Sequence, residues 1–217
     1  MKITPNHRDL ALLYHRRLPA DIWTHLGSIG LSEAVIHRYR LGWDGDRITI
    51  PIANRDRKVT FFRLARGPGD TTGAAEITSS RGAYPELYGW EHLGFKRENL
   101  VICDGEFDRL VLEAHDIPAV TAVAGDGKFL EAWAVSFAEV ENLFVCFHND
   151  EPGGRRARRV ARFIPQCRVV QLPTEVGQSG TVTDFFITLA RSREDFLGLL
   201  QSAGDEQAES AISSSLS

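Results

Sequence analysis

The chain has 217 residues, 43% of them hydrophobic and 25% charged, with a formal net charge of −4. That length holds one large or two small domains with a true core, and the composition is that of a globular protein. No apolar run approaches the ~20 residues needed to cross a membrane, the N-terminus lacks an apolar signal core, and the overall charge argues against indiscriminate affinity for nucleic acid. The charge is unevenly divided: residues 1–100 carry 15 Lys and Arg against 11 Asp and Glu, and residues 101–217 carry 10 against 18. A basic half beside an acidic half suits a polyanion-binding surface next to a cation site, or it is chance plus an acidic tail. The three cysteines (Cys103, Cys146, Cys167) are widely spaced without a Cys-x-x-Cys pair. They read as reduced core residues, which fits a cytoplasmic protein.

In chain order, Pro5–Arg17 predicts a helix with Leu10, Leu13 and Tyr14 on one side. Pro19 opens a second helix over Ala20–Leu26, and Ser32-Glu33 begins a third through Val35, Ile36 and Tyr39. Trp23, His25 and His37 are expected to pack or face solvent. Arg47–Ile52 and Lys58–Leu64 predict a hairpin around the turn residues Asn54–Arg57. Alternation puts Arg63 and Arg66 on opposite strand faces unless the strand bulges near Ala65. Gly67–Ser80 reads as a loop, and Leu87-Tyr88-Gly89-Trp90 leads through a short helix to a boundary at Lys96-Arg97. From there strand and helix alternate over 99–103, 107–115, 118–123, 128–137, 142–147, 154–164, 167–172 and 184–190. Leu130, Trp133, Ala134 and Phe137 form one face of the 128–137 helix. The pattern predicts a compact α/β domain with four short, mostly parallel strands and flanking helices. Residues 201–217, Ser-rich and acidic, are expected to be disordered.

Two stretches of this half answer each other. Asn99–Asp108 is an apolar strand (Leu100, Val101, Ile102, Cys103) that breaks at Asp104-Gly105 and turns into a helix, so Asp104, Glu106 and Asp108 crowd one turn. Asn142–Asp150 repeats the arrangement, ending in His148-Asn149-Asp150, and Glu151-Pro152-Gly153-Gly154 leads into a helix. Ligands of open α/β sheets bind at such strand ends. Two acid-loaded ends suggest one divalent-metal site, because hard cations take carboxylate oxygens.

Asp-Gly-Glu-Phe-Asp (104–108) followed by His-Asn-Asp-Glu-Pro-Gly-Gly-Arg-Arg-Ala (148–157) resembles the Toprim domain. That is the magnesium-binding α/β fold shared by bacterial (DnaG-type) primases, topoisomerases and some nucleases. Its pattern is a Glu-Gly-x-x-Asp turn and then Asp-x-Asp-x-x-Gly-Arg-x-Ala. Arg47–Pro51 with Val59–Arg66, and Leu87-Tyr88-Gly89, look like segments of the primase branch, so the resemblance runs from about Tyr14 to Leu189. It implies a Toprim domain over residues 98–200, preceded by a smaller α+β primase-type subdomain over 1–97. It also implies Mg²⁺ or Mn²⁺ as cofactor and single-stranded DNA template and nucleotides as partners. With no zinc-binding domain in this chain, such a domain or a replicative helicase would act in trans.

Carried over by motif, the family's glutamate falls on Asp104, its turn aspartate on Asp108, and its Asp-x-Asp pair on His148 and Asp150. Two of these four positions depart from the family. Asp104 is a methylene shorter than Glu, and Glu106 stands near enough to reach in. Imidazole is a poor Mg²⁺ ligand but tolerates Mn²⁺, Ni²⁺ or Zn²⁺. The site is therefore active with an altered metal preference, or keeps one Mg²⁺ position through Asp104, Asp108 and Asp150, or has lost catalysis and kept binding. Asp184, in Thr181-Val182-Thr183-Asp184, resembles the late acid of the domain and is either a further metal-site acid or a helix cap. Gly125-Asp126-Gly127 resembles the fold's glycine-bearing turn. By resemblance Arg63, Arg66 and Arg81 line the path of template or phosphates, with a solvated strand edge as the alternative. Of the run Arg155, Arg156, Arg158, Arg159 and Arg162, the first two sit where a helix start favours phosphate. Three functions follow: a primase-like nucleotidyltransferase core making short primers, as in phage or mobile-element replication; a Toprim nuclease; or a non-catalytic nucleic-acid-binding or helicase-partner module.

Overall fold

The computed structural model describes residues 6–70, 76–124 and 128–215, with side chains described to residue 204. The chain forms two compact units. The first comprises Met1–Glu91 with Ala122–Lys128, and the second His92–Thr121 with Phe129–Ser217. The division falls earlier than the sequence boundary at 97, because His92 hydrogen-bonds Glu113 inside the second unit, whose first strand begins at Arg97. The Gly125-Asp126-Gly127 turn lies outside the described residues.

In the first unit three short helices precede a small sheet: α1 (His7–Arg16), α2 (Ala20–Ser28) and α3 (Glu33–Arg38). Asn6 and Ser32 cap α1 and α3 by accepting the N–H groups of Asp9 and Val35. Strands β1 (Gly42–Trp43), β2 (Arg47–Ala53), β3 (Val59–Arg66) and β4 (Ile77–Ser79) form an antiparallel sheet in that order. β4 corrects the sequence reading of Gly67–Ser80 as a loop: Arg63 pairs with Ser79 and Leu64 with Thr78, so its backbone groups join the ladder. β2 buries Thr49 and Pro51 as well as Ile48, Ile50 and Ile52, so both its faces are covered. Trp23 and His37 do pack, with ring centroids 5.1 Å apart. β5 (Glu86–Tyr88) then leads into a 3₁₀ turn over Trp90–His92.

The second unit alternates β6 (Arg97–Cys103), α4 (Glu106–Ala114), β7 (Ala119–Val123), β8 (Val140–Cys146), α5 (Glu151–Phe163), β9 (Cys167–Val170), α6 (Val182–Ile187) and α7 (Arg193–Ser215). The strands stand in the order β7, β6, β8, β9 and pair in parallel throughout, the predicted α/β arrangement. Leu100, Val101, Ile102, Leu143, Val145 and Cys146 are buried, as strands covered on both faces require. Between β7 and β8 the expected 128–137 helix is a 3₁₀ helix over Glu131–Phe137. Of the expected face Leu130, Trp133, Ala134 and Phe137, only Phe137 is buried and Leu130 is exposed, so the stripe does not form a packed α-helical face. α7 continues to Ser215, where the sequence predicts disorder from residue 201. Ala, Glu and Gln in this stretch favour helix and no proline interrupts it. No helix among the described residues is long and apolar enough to cross a membrane. All three cysteines are free and buried. Burial pushes the Cys167 thiol up to about 12 and raises Cys103 and Cys146 as well, so none is a reactive thiolate.

Candidate active site

β6 and β8 are parallel neighbours with Cys103 opposite Cys146. The residues that follow them therefore leave the sheet at one edge, and two motifs 44 positions apart in sequence, Asp104 and His148, become one cluster. After β6 the chain turns at Gly105, whose φ of 144° is open to glycine alone. The Gly105 N–H donates to Thr121 Oγ1 at 3.0 Å. α4 starts at Glu106, which sets Asp108 in its first turn, where the helix dipole favours a carboxylate. After β8, Asp150 is the N-cap of α5, accepting the Gly153 N–H at 2.5 Å. A Cβ on Gly153 would lie 2.2 Å from the His148 carbonyl oxygen, so only glycine lets the helix start this close to the strand end.

The His148 ring lies between two acids. Its Nδ1 is 3.7 Å from Asp104 Oδ2 and its Nε2 is 3.7 Å from Asp108 Oδ2. Both distances are too long for hydrogen bonds and short enough for charge pairing. Asp108 foremost, with Asp104, raises the imidazole pKa above its ordinary value, while burial and Arg156 oppose the rise. Arg156 reaches in from α5 and donates through Nη2 to the same Asp104 Oδ2. Asp108 Oδ1 accepts the Thr183 N–H (2.9 Å) and the Thr183 hydroxyl (2.7 Å). Asp150 Oδ2 accepts the Ser179 hydroxyl at 3.1 Å. Its carboxyl is held below the usual range by the Gly153 N–H first, then by Ser179, Arg156 and His148. Beside His148 and Asp150 lies a depression of about 270 Å³, also lined by Arg158 and Gln171.

The structure thus brings Asp104, Asp108, His148 and Arg156 together, with Asp150 at the adjoining helix start. Glu106 is buried, 5% exposed. Asp184 sits at the third position of α6 in a capping box: its Oδ2 accepts the Thr181 N–H and hydroxyl, and its Oδ1 accepts the Thr188 hydroxyl. Of the basic run, Arg155 pairs with Glu151 on the exposed side of α5. Arg63, Arg66 and Arg81 belong to the first unit. The register between Arg63 and Arg66 is regular, so they point to opposite faces, and Arg63 donates to Ser79 Oγ at 2.6 Å. Sequence reasoning missed Thr183 and Thr121, which orient the acid turn. A lone threonine carries no signal by type or spacing.

Among the described residues no three of His, Cys, Asp and Glu stand as a ready set of metal ligands. The reason is visible in the contacts: each of Asp104, Asp108 and Asp150 already meets a protein donor or cation. The donor set nevertheless suits a divalent ion. Asp104 Oδ2 and Asp108 Oδ2 face the two ring nitrogens of His148, and Asp104 Oδ2 also meets the Arg156 guanidinium, so hard carboxylate oxygens border one imidazole.

The architecture is that of bacterial primase catalytic cores. A DnaG catalytic core matches with a TM-score of 0.74 over 90% of this chain and 78% of that one, at 16% identity. A DnaG primase catalytic domain bound to single-stranded DNA matches at 0.72 and 18% identity, over 90% and 77%. The zinc-binding and RNA polymerase domains of the Aquifex aeolicus primase match at 0.71 and 16%, and here the chain spans 90% of itself but only 59% of that fragment. In sequence, the Gene 57 protein of Mycobacterium phage D29 is 27% identical over 111 residues, 51% of this chain and 72% of that protein. No protein-family model matches the chain.

Proposed function

We propose that this chain is the core of a primase-type nucleotidyltransferase that builds short primers on single-stranded DNA, in a phage replication setting. One observation carries the proposal: within a primase-core fold, the strand-end acids Asp104 and Asp108 converge with His148 on the sheet edge where open α/β sheets bind their ligands. In the reaction a 3′-hydroxyl oxygen bonds to the α-phosphorus of a nucleotide, the α–β bridging P–O bond breaks, and pyrophosphate leaves as the hydroxyl proton is lost. Asp104 and Asp108 are the residues to hold Mg²⁺ or Mn²⁺, and a bound ion there would neutralise phosphate charge and favour the alkoxide. Thr183 fixes Asp108, and Thr121 fixes the Gly105 turn, so the acids are held in place before substrate arrives. Arg156 pairs with Asp104 at the start of the site, and its guanidinium would be within the site to meet a nucleotide phosphate.

A second reading, a nucleic-acid-binding module without catalysis, is favoured by the acids' existing protein partners. A zinc-binding domain or a helicase acting in trans belongs to the first reading. Template-dependent incorporation of labelled ribonucleotides separates the two. Product that depends on Asp108 supports the polymerising core. Strand binding without product under either metal leaves the module.

A further inference from the structure

The first unit holds a pair of histidines away from the acid cluster. His15 lies on α1 and His37 on α3, and the fold sets His15 Nε2 2.9 Å from His37 Nδ1. On the other side of the same ring, His15 Nδ1 lies 2.6 Å from the Leu41 carbonyl oxygen. A carbonyl only accepts, so Nδ1 carries the ring hydrogen and donates it. The lone pair of neutral His15 is then on Nε2, facing His37.

The Leu41 carbonyl is itself fixed. Leu41 is fully buried, and a Cβ on Gly42 would lie 2.5 Å from the Tyr14 carbonyl carbon and 2.6 Å from the His15 backbone nitrogen. Only glycine lets β1 start this close to α1, so the backbone group that orients His15 is held in place. An imidazole with one nitrogen tied to a backbone carbonyl and the other presenting its lone pair is arranged as metal-ligating histidines are. His37 stands on the open side, exposed to solvent, and its ring meets that of His15 at 76° with centroids 5.0 Å apart. Trp23 supports it from α2, with centroids 5.1 Å apart. Two imidazoles on one ion, with metal–nitrogen bonds of about 2.0–2.1 Å, hold their nitrogens ~2.9–3.4 Å apart. The observed 2.9 Å is at the short end of that range, so a small swing of the His37 ring makes room for an ion.

We propose that His15 and His37 form a second cation site, separate from the acid cluster, that takes a borderline divalent ion of the zinc, nickel and copper class. The nitrogens decide the class, since imidazole suits these ions and Mg²⁺ prefers oxygen. Without an ion, His37 Nδ1–H donates to His15 Nε2. On binding, that hydrogen leaves to solvent and His37 takes one up at Nε2, so Nδ1 offers its lone pair and the ring stays neutral. Among the described residues no third His, Cys, Asp or Glu completes the set, and water fills the remaining positions. The ion ties α1 to α3. None of this depends on the polymerase reading.

The test uses the full chain with a single equivalent of Cu²⁺, the ion of this series with the highest affinity, in excess Mg²⁺ to compete at the carboxylates. Electron paramagnetic resonance reads the bound nitrogens through their superhyperfine splitting. Two imidazole nitrogens are expected in the parent and in His25→Ala. In His37→Ala one is lost and affinity falls by about tenfold or more, because the second imidazole no longer binds within the same molecule. Zn²⁺ should raise the melting temperature of the parent and leave that of His37→Ala unchanged. His37 is exposed, so the variant should melt like the metal-free parent. The same spectrum and affinity in His37→Ala would overturn the proposal. So would a loss in His25→Ala equal to that in His37→Ala, which would mean adventitious binding by surface histidines. Loss of the signal in His148→Asn with His37→Ala unaffected would assign the ion to the acid cluster and overturn it as well.

Discussion

α4 carries two His–carboxylate–Arg clusters, one at its start and one inside the second unit, and they do different things. At the start, His148 stands off Asp104 and Asp108 at 3.7 Å, its side chain 32% exposed, and Arg156 is more exposed still. Inside, Glu113 Oε1 accepts from His92 Nε2 at 2.5 Å and from the Ala119 N–H at 3.2 Å, with Arg109 Nη2 at 3.7 Å. Arg109 is fully buried and its Nε donates to the Ala119 carbonyl at 3.0 Å. The inner cluster ties α4 to the start of β7 and is dry. In the outer one Asp108 is buried and held by Thr183, while the His148 and Arg156 side chains reach solvent. The same residue types are desolvated and closely paired in the inner cluster and held apart at a sheet edge in the outer one, where the proposed chemistry falls.

Breaking the inner cluster should have the largest effect. Glu113→Ala strands the Arg109 charge in the core, and the second unit should lose about 3–5 kcal/mol in urea denaturation. Asp104→Asn, by contrast, removes a partly exposed pairing and should change stability by no more than about 1 kcal/mol. Equal losses from the two would erase the distinction. Next in size, Arg156→Gln removes the cation that leans on Asp104. Mn²⁺ affinity, read by electron paramagnetic resonance titration, should rise several-fold, and a fall would mean that Arg156 helps to build the ion site.

The smallest expected effect is a pH dependence. His148 has a raised pKa in the folded chain, so its contribution to stability is complete below the unfolded value near 6.5. That contribution is lost as pH rises through the folded-state value. Melting temperature should therefore decline over this window, and His148→Asn should flatten the decline. A parent curve no steeper than the variant's would place the imidazole outside the acids' influence.

The contrast between the clusters also marks what could be read in the sequence. The strand-to-turn acid motifs were legible because a buried apolar run ending in carboxylates has few structural explanations, and parallel pairing of β6 with β8 follows from strand–helix alternation. The inner cluster was not. Arg109 and Glu113 stand four apart on a helix, the spacing of an ordinary solvent-exposed pair, and only the fold buries them. Asp184 carried two readings in the sequence, and its oxygens are occupied by the Thr181–Thr188 cap network. The β4 strand escaped notice because three residues in a Gly- and Thr-rich stretch show no period, and pairing with β3 supplies their order.

The central claim is that the outer cluster is a working nucleotidyltransferase site. Its most direct test is template-dependent incorporation of labelled ribonucleotides on single-stranded DNA, with Mg²⁺ and with Mn²⁺, for the parent chain beside Asp108→Asn and His148→Asp. The account predicts product from the parent, its loss in Asp108→Asn with strand binding retained, and a shift of metal preference toward Mg²⁺ in His148→Asp. A parent chain that binds the strand and makes no product with either metal would contradict it.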